Sequence, residues 1–370
     1  MAEITLPVSL GEAIDKLTIL DIKLKKISDT RKADVQKEYD VLFNILKEYV
    51  LKYNYHYRIL YEINLSIWEL QDKFHGKDTS SEEGAKICHT ILLDNDRRFR
   101  VKAKINAAAK SNLREQKGYN LKKCVYYGHL GLGDMYWMNG AVRYLATSYD
   151  EVLVICKKRN QKNAEAMYSD DPTIKLLLIE DDHELFPWIT KQFIFSENGY
   201  TVFGSGGFSN RPEPVLYNLP ESFYDDISIP FECRLTYFHV PRTAAALELA
   251  KKFTVPYIVV HAQSSVKTLG ITQMLRNRGE TRLIVDLNKN QYDKSVNPNE
   301  WSLAEEVVGK PLIDYTYLLE AADELHMIES SIYCMASHLD LSKVKNRLCY
   351  EPWGDNAERL GTFTTGNCIN

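Results

Sequence analysis

From residue 119 onward the chain repeats one pattern. A short run of β-branched and aromatic residues is followed by a break and then by a helix-like run. The strand candidates are "KCVYYG", "EVLVICK", "IKLLLIE", "YTVFGSG", "PYIVVHAQ", "TRLIVDL", "ELHMIES" and "RLCYEPW". Helical runs fall between several of them, at 135–148, 159–169, 242–253, 301–308 and 314–322. Runs of this length and alternation predict parallel strands covered by their own crossover helices. The roughly 250 residues after 118 exceed what one small sheet needs and fit two. The expected division is 119–230 and 231–370, with the Pro-, Gly- and aromatic-rich stretch at about 205–240 as the connection.

Residues 1–118 have a different character. Ser9 followed by Glu12 is a capping-box signature, and Ile14, Leu17, Leu20, Ile22 and Leu24 recur on one face after it. A second run places Val35, Tyr39, Leu42, Ile45, Leu46 and Tyr49 at helical spacing, and a third covers about 56–74. "HGKDTSSEEG" interrupts the pattern, and Ser80 or Ser81 is placed to cap a fourth helix. Four long, glycine-poor helices predict an all-α domain, either a closed bundle or a pair of hairpins that buries its faces in a homodimer. The aromatic cluster "YNYHYRILY" reads as packing, and the basic run "DRRFRVKAK" reads as a solvated helix face.

Composition excludes several classes. With a net charge of -4 the chain lacks the basic excess of a nucleic-acid binder. No apolar run reaches the roughly 20 residues of a membrane span, and the first residues do not read as a signal peptide. The seven cysteines form no CxxC pair, and the histidines show no zinc-ligand spacing. A reducing, cytoplasmic setting without a structural metal is expected. Asp170 and Asp171 are adjacent rather than spaced as D-x-D, so "SDDPTIK" reads as a turn.

The chemistry concentrates at "GHLGLGD" (128–134), between a strand and a helix. Gly131 and Gly133 permit positive φ and close approach, and Asp134 is placed to cap a helix starting near Met135. A phosphate cradle is a poor fit. The dinucleotide fingerprint needs G-x-G-x-x-G and a P-loop needs G-K-[ST], whereas here an acid stands where it would repel a pyrophosphate. A loop of this kind is better suited to presenting a carboxylate as general base toward a hydroxyl.

"GLGDMYWMNGAVRYLA" resembles the first strand-loop-helix of GT-B glycosyltransferases, in particular the heptosyltransferase-like group. The resemblance implies two Rossmann-like domains after the helical one and a nucleotide-diphosphate sugar as donor. It also implies no metal or other cofactor, and it favours inversion at the anomeric centre. It assigns Asp134 the role of catalytic base, with His129, Gly131 and Gly133 in the acceptor loop. "VPYIVVHAQSSVKTLGI" resembles the first strand of the GT-B donor domain, which places His261, a second catalytic candidate, and Ser264, Ser265 and Lys267 near the donor phosphates. "LHMIESSIYCMASHLD" resembles the strand, acid and small-residue helix that hold the donor. It implies Glu329 on the ribose or sugar hydroxyls and Ser330 and Ser331 at the diphosphate. A helix N-terminus is suited to such an anion. Arg242, after "YFHVP", is a further candidate for phosphate or carboxylate. Each residue also has a plain structural reading: strand-end histidine, exposed lysine, or capping serine.

The N-terminal segment, through "VSLGEAIDKLTILDIKL" and "NDRRFRVKAKIN…REQKGY", resembles a poorly characterised domain family associated with bacterial and viral surface-glycan genes. The function expected is glycosyl transfer to a glycan or other hydroxyl acceptor. Two other readings remain. One is a sugar-nucleotide epimerase using His129 or His239 as a second acid or base, and the other is a non-catalytic glycan-binding or assembly protein.

Overall fold

The computed structural model describes residues 6–75, 81–118, 120–189, 191, 193–206, 219–264, 268–288, 298–350, 359–364 and 367–368. The chain divides into two compact units. One holds residues up to Lys123 together with Tyr144–Val152, and the other holds Cys124–Arg143 and Leu153 onward.

The first unit is built on α1 (Leu10–Lys26), α2 (Arg31–Lys52), α3 (Asn54–Phe74) and α4 (Glu82–Ala108). Ser9 and Ser81 cap α1 and α4 through their hydroxyls, which accept from the Glu12 and Gly84 N–H groups. Ile14, Leu17, Leu20, Ile59, Leu60, Ile63, Val101 and Ile105 form the apolar core. The face of α2 is narrower than its spacing predicts. Val35, Tyr39 and Leu42 are half-buried and Leu46 is buried, but Ile45 and Tyr49 remain 66% and 45% exposed. The helix sits at an edge of the unit, so only one stripe of it meets α1.

The basic run on α4 is not a solvated face. The Arg98 guanidinium donates to Asp15, which is fully buried and also accepts from Asn64 Nδ2 at 2.9 Å. Arg97 pairs with Asp94, Arg100 with Asp150, and Lys102 with both Glu12 and Glu115. Asp94 is one helical turn from Arg97, but Asp15, Asp150, Glu12 and Glu115 come from outside α4, so spacing along the helix could not show them.

The second unit contains the two sheets. The first uses β1 (Lys123–Tyr127), β2 (Glu151–Lys157), β3 (Ile174–Ile179), β4 (Ile194–Glu197) and β5 (Tyr200–Gly204), in the order β3-β2-β1-β5-β4. Its helices are α5 (Leu132–Ser148), α6 (Gln161–Tyr168), α7 (Phe186–Ile189), α8 (Leu219–Asp225) and α9 (Cys233–Thr236). β1 and β5 are parallel, whereas the hairpin strand β4 is antiparallel.

After α10 (Ala244–Lys251) comes the second sheet, with β6 (Tyr257–His261), β7 (Leu283–Asp286), β8 (Glu324–Ile328), β9 (Asn346–Tyr350), β10 (Arg359–Thr364) and β11 (Asn367–Cys368). The order is β11-β10-β9-β8-β6-β7, and α11 (Ile271–Asn277), α12 (Pro298–Val307), α13 (Thr316–Glu320) and α14 (Ser331–Ala336) connect the strands. β7, β6, β8 and β9 run parallel, and the β10 edge is antiparallel. The predicted strands are all present. The unpredicted ones, β4, β10 and β11, form antiparallel edges of the kind that α/β sheets often carry.

Both sheets place a site by topology. In an open α/β sheet the crevice forms beyond the carboxyl ends of the strands, where the winding reverses. That point lies between β1 and β5 in the first sheet and between β6 and β8 in the second.

Candidate functional site

The loop leaving β1 ends in an N-cap supplied by Gly131, whose carbonyl accepts the Met135 N–H at 3.2 Å. Asp134 is therefore not the cap. It is the third residue of α5, and its carboxylate turns back to accept the Gly131 N–H. This is the acidic half of a capping box.

The two glycines are needed for space and not for a positive φ, which neither adopts. A Cβ on Gly131 would stand 2.6 Å from Asp134 Oδ2. A Cβ on Gly133 would stand 3.1 Å from Cys334 Sγ and 3.6 Å from Ser331 Cα. The first turn of α5 is thus brought against the first turn of α14, and the carboxyl ends of the two sheets converge there.

That approach gathers acids. Burial raises the Asp134 pKa, against the opposing influence of His129 and the Gly131 N–H. Glu329, the residue after β8, retains solvent access but is raised as well, first by desolvation and then by the Asp134 charge. Cys334 is pushed above the ordinary thiol range by burial and by both carboxylates. The mutual influence of Asp134, Glu329 and Cys334 places them in one electrostatic neighbourhood.

His261 ends β6. Burial lowers its pKa to about 4, so the ring is neutral at pH 7, and its Nδ1 shares a 3.0 Å hydrogen bond with Ser330 Oγ. Ser330 also caps α14 by accepting the Tyr333 N–H, and Ser331 opens that helix. His129 is half-buried and sets its ring edge against Phe223 at 6.0 Å.

Asp134, His129, Gly131, Gly133, Glu329, Ser330, Ser331 and His261 therefore stand at the carboxyl ends of β1, β6 and β8. Ser264 lies half-buried in the turn after β6, while Ser265 and Lys267 lie outside the described residues. Arg242 is not brought into this group. Its guanidinium forms a two-pronged pair with Glu320 at 2.8 and 2.6 Å and lies over the Tyr317 ring.

His239 is engaged elsewhere. Its backbone N–H donates to Asn139 Oδ1, and its Nε2 lies 3.4 Å from Asp170. Asp170 is half-buried, and the Arg143 guanidinium beside it, helped by His239, lowers its carboxyl to about 2. Asp171 accepts from the Thr173 N–H and hydroxyl, as the turn reading expects.

Two buried features had no clear sequence signal. Asp286 ends β7 and accepts from the Thr272 hydroxyl and the Asn288 N–H; burial raises its pKa to about 6. Asn288 in turn accepts the Ala262 N–H at 2.7 Å, which ties the β7 end to the turn after β6. An acid and an amide in "VDLN", directly after an apolar run, are the trace this leaves in the sequence. His338 is held between Trp137 and Phe238, with ring centroids 4.7 and 4.6 Å away, and its Nδ1–H donates to the Cys334 carbonyl at 2.8 Å.

A family of unknown function, DUF6165, matches residues 4–126. No curated protein matches the chain. Among solved structures, the dodecameric iron-containing heptosyltransferase TibC of enterotoxigenic E. coli, solved with ADP-D-β-D-heptose, is 12% identical with a TM-score of 0.39. That match covers 65% of this chain and 60% of TibC. ADP-heptose lipopolysaccharide heptosyltransferase II of E. coli is 12% identical with a TM-score of 0.38, over 62% of this chain and 84% of that one. A glycosyltransferase family 9 protein of Veillonella parvula is 10% identical with the same score, over 62% and 86%. The structural neighbours are thus glycosyltransferases, but the superposition is loose and no residue role is transferred on it. Among the described residues no helix is long and apolar enough to cross a membrane.

Proposed function

We propose that the chain is a glycosyltransferase that moves a sugar from a nucleotide-diphosphate donor to a hydroxyl of a glycan, with Asp134 as general base. The supporting observation is the Asp134 carboxylate itself. It is fixed at the start of α5 by the Gly131 N–H and desolvated so that its pKa rises, and it stands where the carboxyl ends of both sheets meet. A carboxylate with a raised pKa is a stronger base toward a hydroxyl proton.

In the proposed step the acceptor oxygen forms a bond to the anomeric carbon as the bond from that carbon to the diphosphate breaks. The hydroxyl proton passes to Asp134, and the electron pair leaves with the diphosphate. In this reading Ser330, Ser331 and the backbone at the start of α14 receive that developing charge. Neutral His261, bonded to Ser330, holds that hydroxyl in position. Glu329 is assigned to the donor's hydroxyl groups. No metal or other cofactor is required by this reading.

A thermal-shift series with the UDP, GDP, ADP, CMP and dTDP forms tests the donor site. Ligand at about 100 times Kd is expected to add roughly 2.7 kcal/mol. Asp134→Asn should keep that shift while lowering turnover by about 100-fold or more, the usual scale for general-base loss. Undiminished turnover in the variant refutes the assignment. Absence of any nucleotide response favours a glycan-binding or assembly protein.

A further inference from the structure

The helical unit contains a cleft of about 210 Å³, lined by none of the residues that stand at the carboxyl ends of β1, β6 and β8. It is lined by Ser9 and Glu12 from the start of α1, Phe99, Lys102 and Asn106 from α4, and Arg114 and Glu115 from the segment after α4. These three stretches are the ones that distinguish residues 1–118 as a domain in the sequence.

The floor is built and not incidental. Ser9, Lys102 and Asn106 are each at least nine-tenths buried. Asn106 Oδ1 accepts the Gly11 N–H at 2.7 Å, and its Nδ2 donates to Ser9 Oγ at 3.1 Å. Ser9 Oγ accepts from the Glu12 N–H as well, so both of its lone pairs are taken and its own hydrogen is left to donate. Gly11 is a glycine because a Cβ there would stand 2.5 Å from the Lys102 carbonyl oxygen.

Lys102 gives two of its three N–H bonds to Glu12 and Glu115, at 2.7 and 2.8 Å, leaving one. At the rim, Arg114 bonds only through Nε, to the Ser111 carbonyl; its terminal nitrogens have no partner among the described residues. The cleft therefore offers a hydroxyl, an ammonium N–H and a guanidinium as donors, while the remaining carboxylate oxygens of Glu12 and Glu115 offer acceptors.

We propose that this cleft is a binding site for a small carboxylate carrying hydroxyl or amino groups, no larger than a sugar acid. The ligand carboxylate would take the Ser9, Lys102 and Arg114 donors, and its hydroxyl or ammonium hydrogens would go to Glu12 and Glu115. The lining charges balance, with two cations against two anions, so a single compact anion fits better than a polyphosphate, which the two carboxylates would repel.

The test is isothermal titration of the full chain with D-glucuronate, L-serine, D-glucose and inorganic pyrophosphate. Saturable binding of D-glucuronate or L-serine is expected, and which of the two binds tells a sugar acid from an amino acid. Arg114→Ala, which removes an exposed group with no structural bond beyond Ser111, should weaken binding about tenfold or more, the scale of one charge-assisted hydrogen bond. Lys102→Gln should weaken it further, and Asp134→Asn should leave it unchanged. Binding of D-glucose or pyrophosphate in preference to both carboxylates overturns the proposal. So does indifference of carboxylate binding to Arg114→Ala, and so does failure of both carboxylates to bind.

Discussion

At the scale of single residues, small changes of geometry decide which chemistry is available. Gly133 shows this most directly, because the space its missing Cβ leaves is what lets α5 and α14 meet. Gly133→Ala should cost about 1–3 kcal/mol through overpacking against Cys334 and Ser331. A urea melt should show a lower midpoint with an unchanged slope. Buried titratable groups set a second expectation. His261 and His338 both have their pKa lowered to about 4 by burial, against an ordinary value of 6.5. The unfolded chain then binds more protons than the folded one between those values. The stability these two groups contribute is fully present above pH 6.5 and is lost as the pH falls toward 4. Asp286 acts in the opposite sense. Its pKa is raised from 3.8 to about 6, so its ionisation costs stability as the pH rises through that window. Asp134 and Glu329, whose carboxyls are also raised, act in the same sense as Asp286, so the histidine share is read by difference. His338→Phe, which suits the space beside Trp137 and Phe238, should shift Tm more favourably at pH 4.5 than at pH 6.5, because the folded chain then no longer has to keep a proton off that ring.

At the scale of elements, the strands after residue 119 follow from the apolar runs, because a strand buried on both faces needs little else to define it. β2 and β6 occur where "EVLVICK" and "PYIVVHAQ" place them. The caps of α1 and α4 are equally readable, since Ser9 and Ser81 act within three residues of themselves. Ser9→Ala should cost about 1 kcal/mol for the cap, and also removes the acceptor for Asn106 Nδ2; chemical denaturation measures the sum. The start of α5 was only half readable. Gly131 and Asp134 exchange the roles that their residue types suggest, because the helix begins at Leu132, three residues earlier than the apolar pattern implies. α2 departs from its pattern for a different reason: spacing shows which residues share a face, but not whether a neighbour covers it.

At the scale of the whole molecule, the chain solves two packing problems by different means. The two sheets are held by apolar contact, with Ile258, Val260, Ile284 and Ile328 in one cluster and Val125, Tyr127, Ile155 and Val202 in the other. The helical unit adds a buried polar network around Asp15, where an ion pair is costly to break. Arg98→Met should leave Asp15 buried without its cation and cost about 3–5 kcal/mol, read as a fall in the denaturation midpoint. The sequence alone determined the local matters: the helical segment, the alternation of strand and helix, the capping serines, and the loop that carries Asp134. These depend on residues a few positions apart, whose spacing is itself the cause. Only the tertiary structure decided that Asp134, Glu329, His261 and Ser330 stand at neighbouring strand ends, that Arg242 is occupied by Glu320, and that a basic run faces inward. Each of those rests on pairs separated by many tens of residues, and at that range distance is set by how helices and sheets pack and not by the order of residues along the chain.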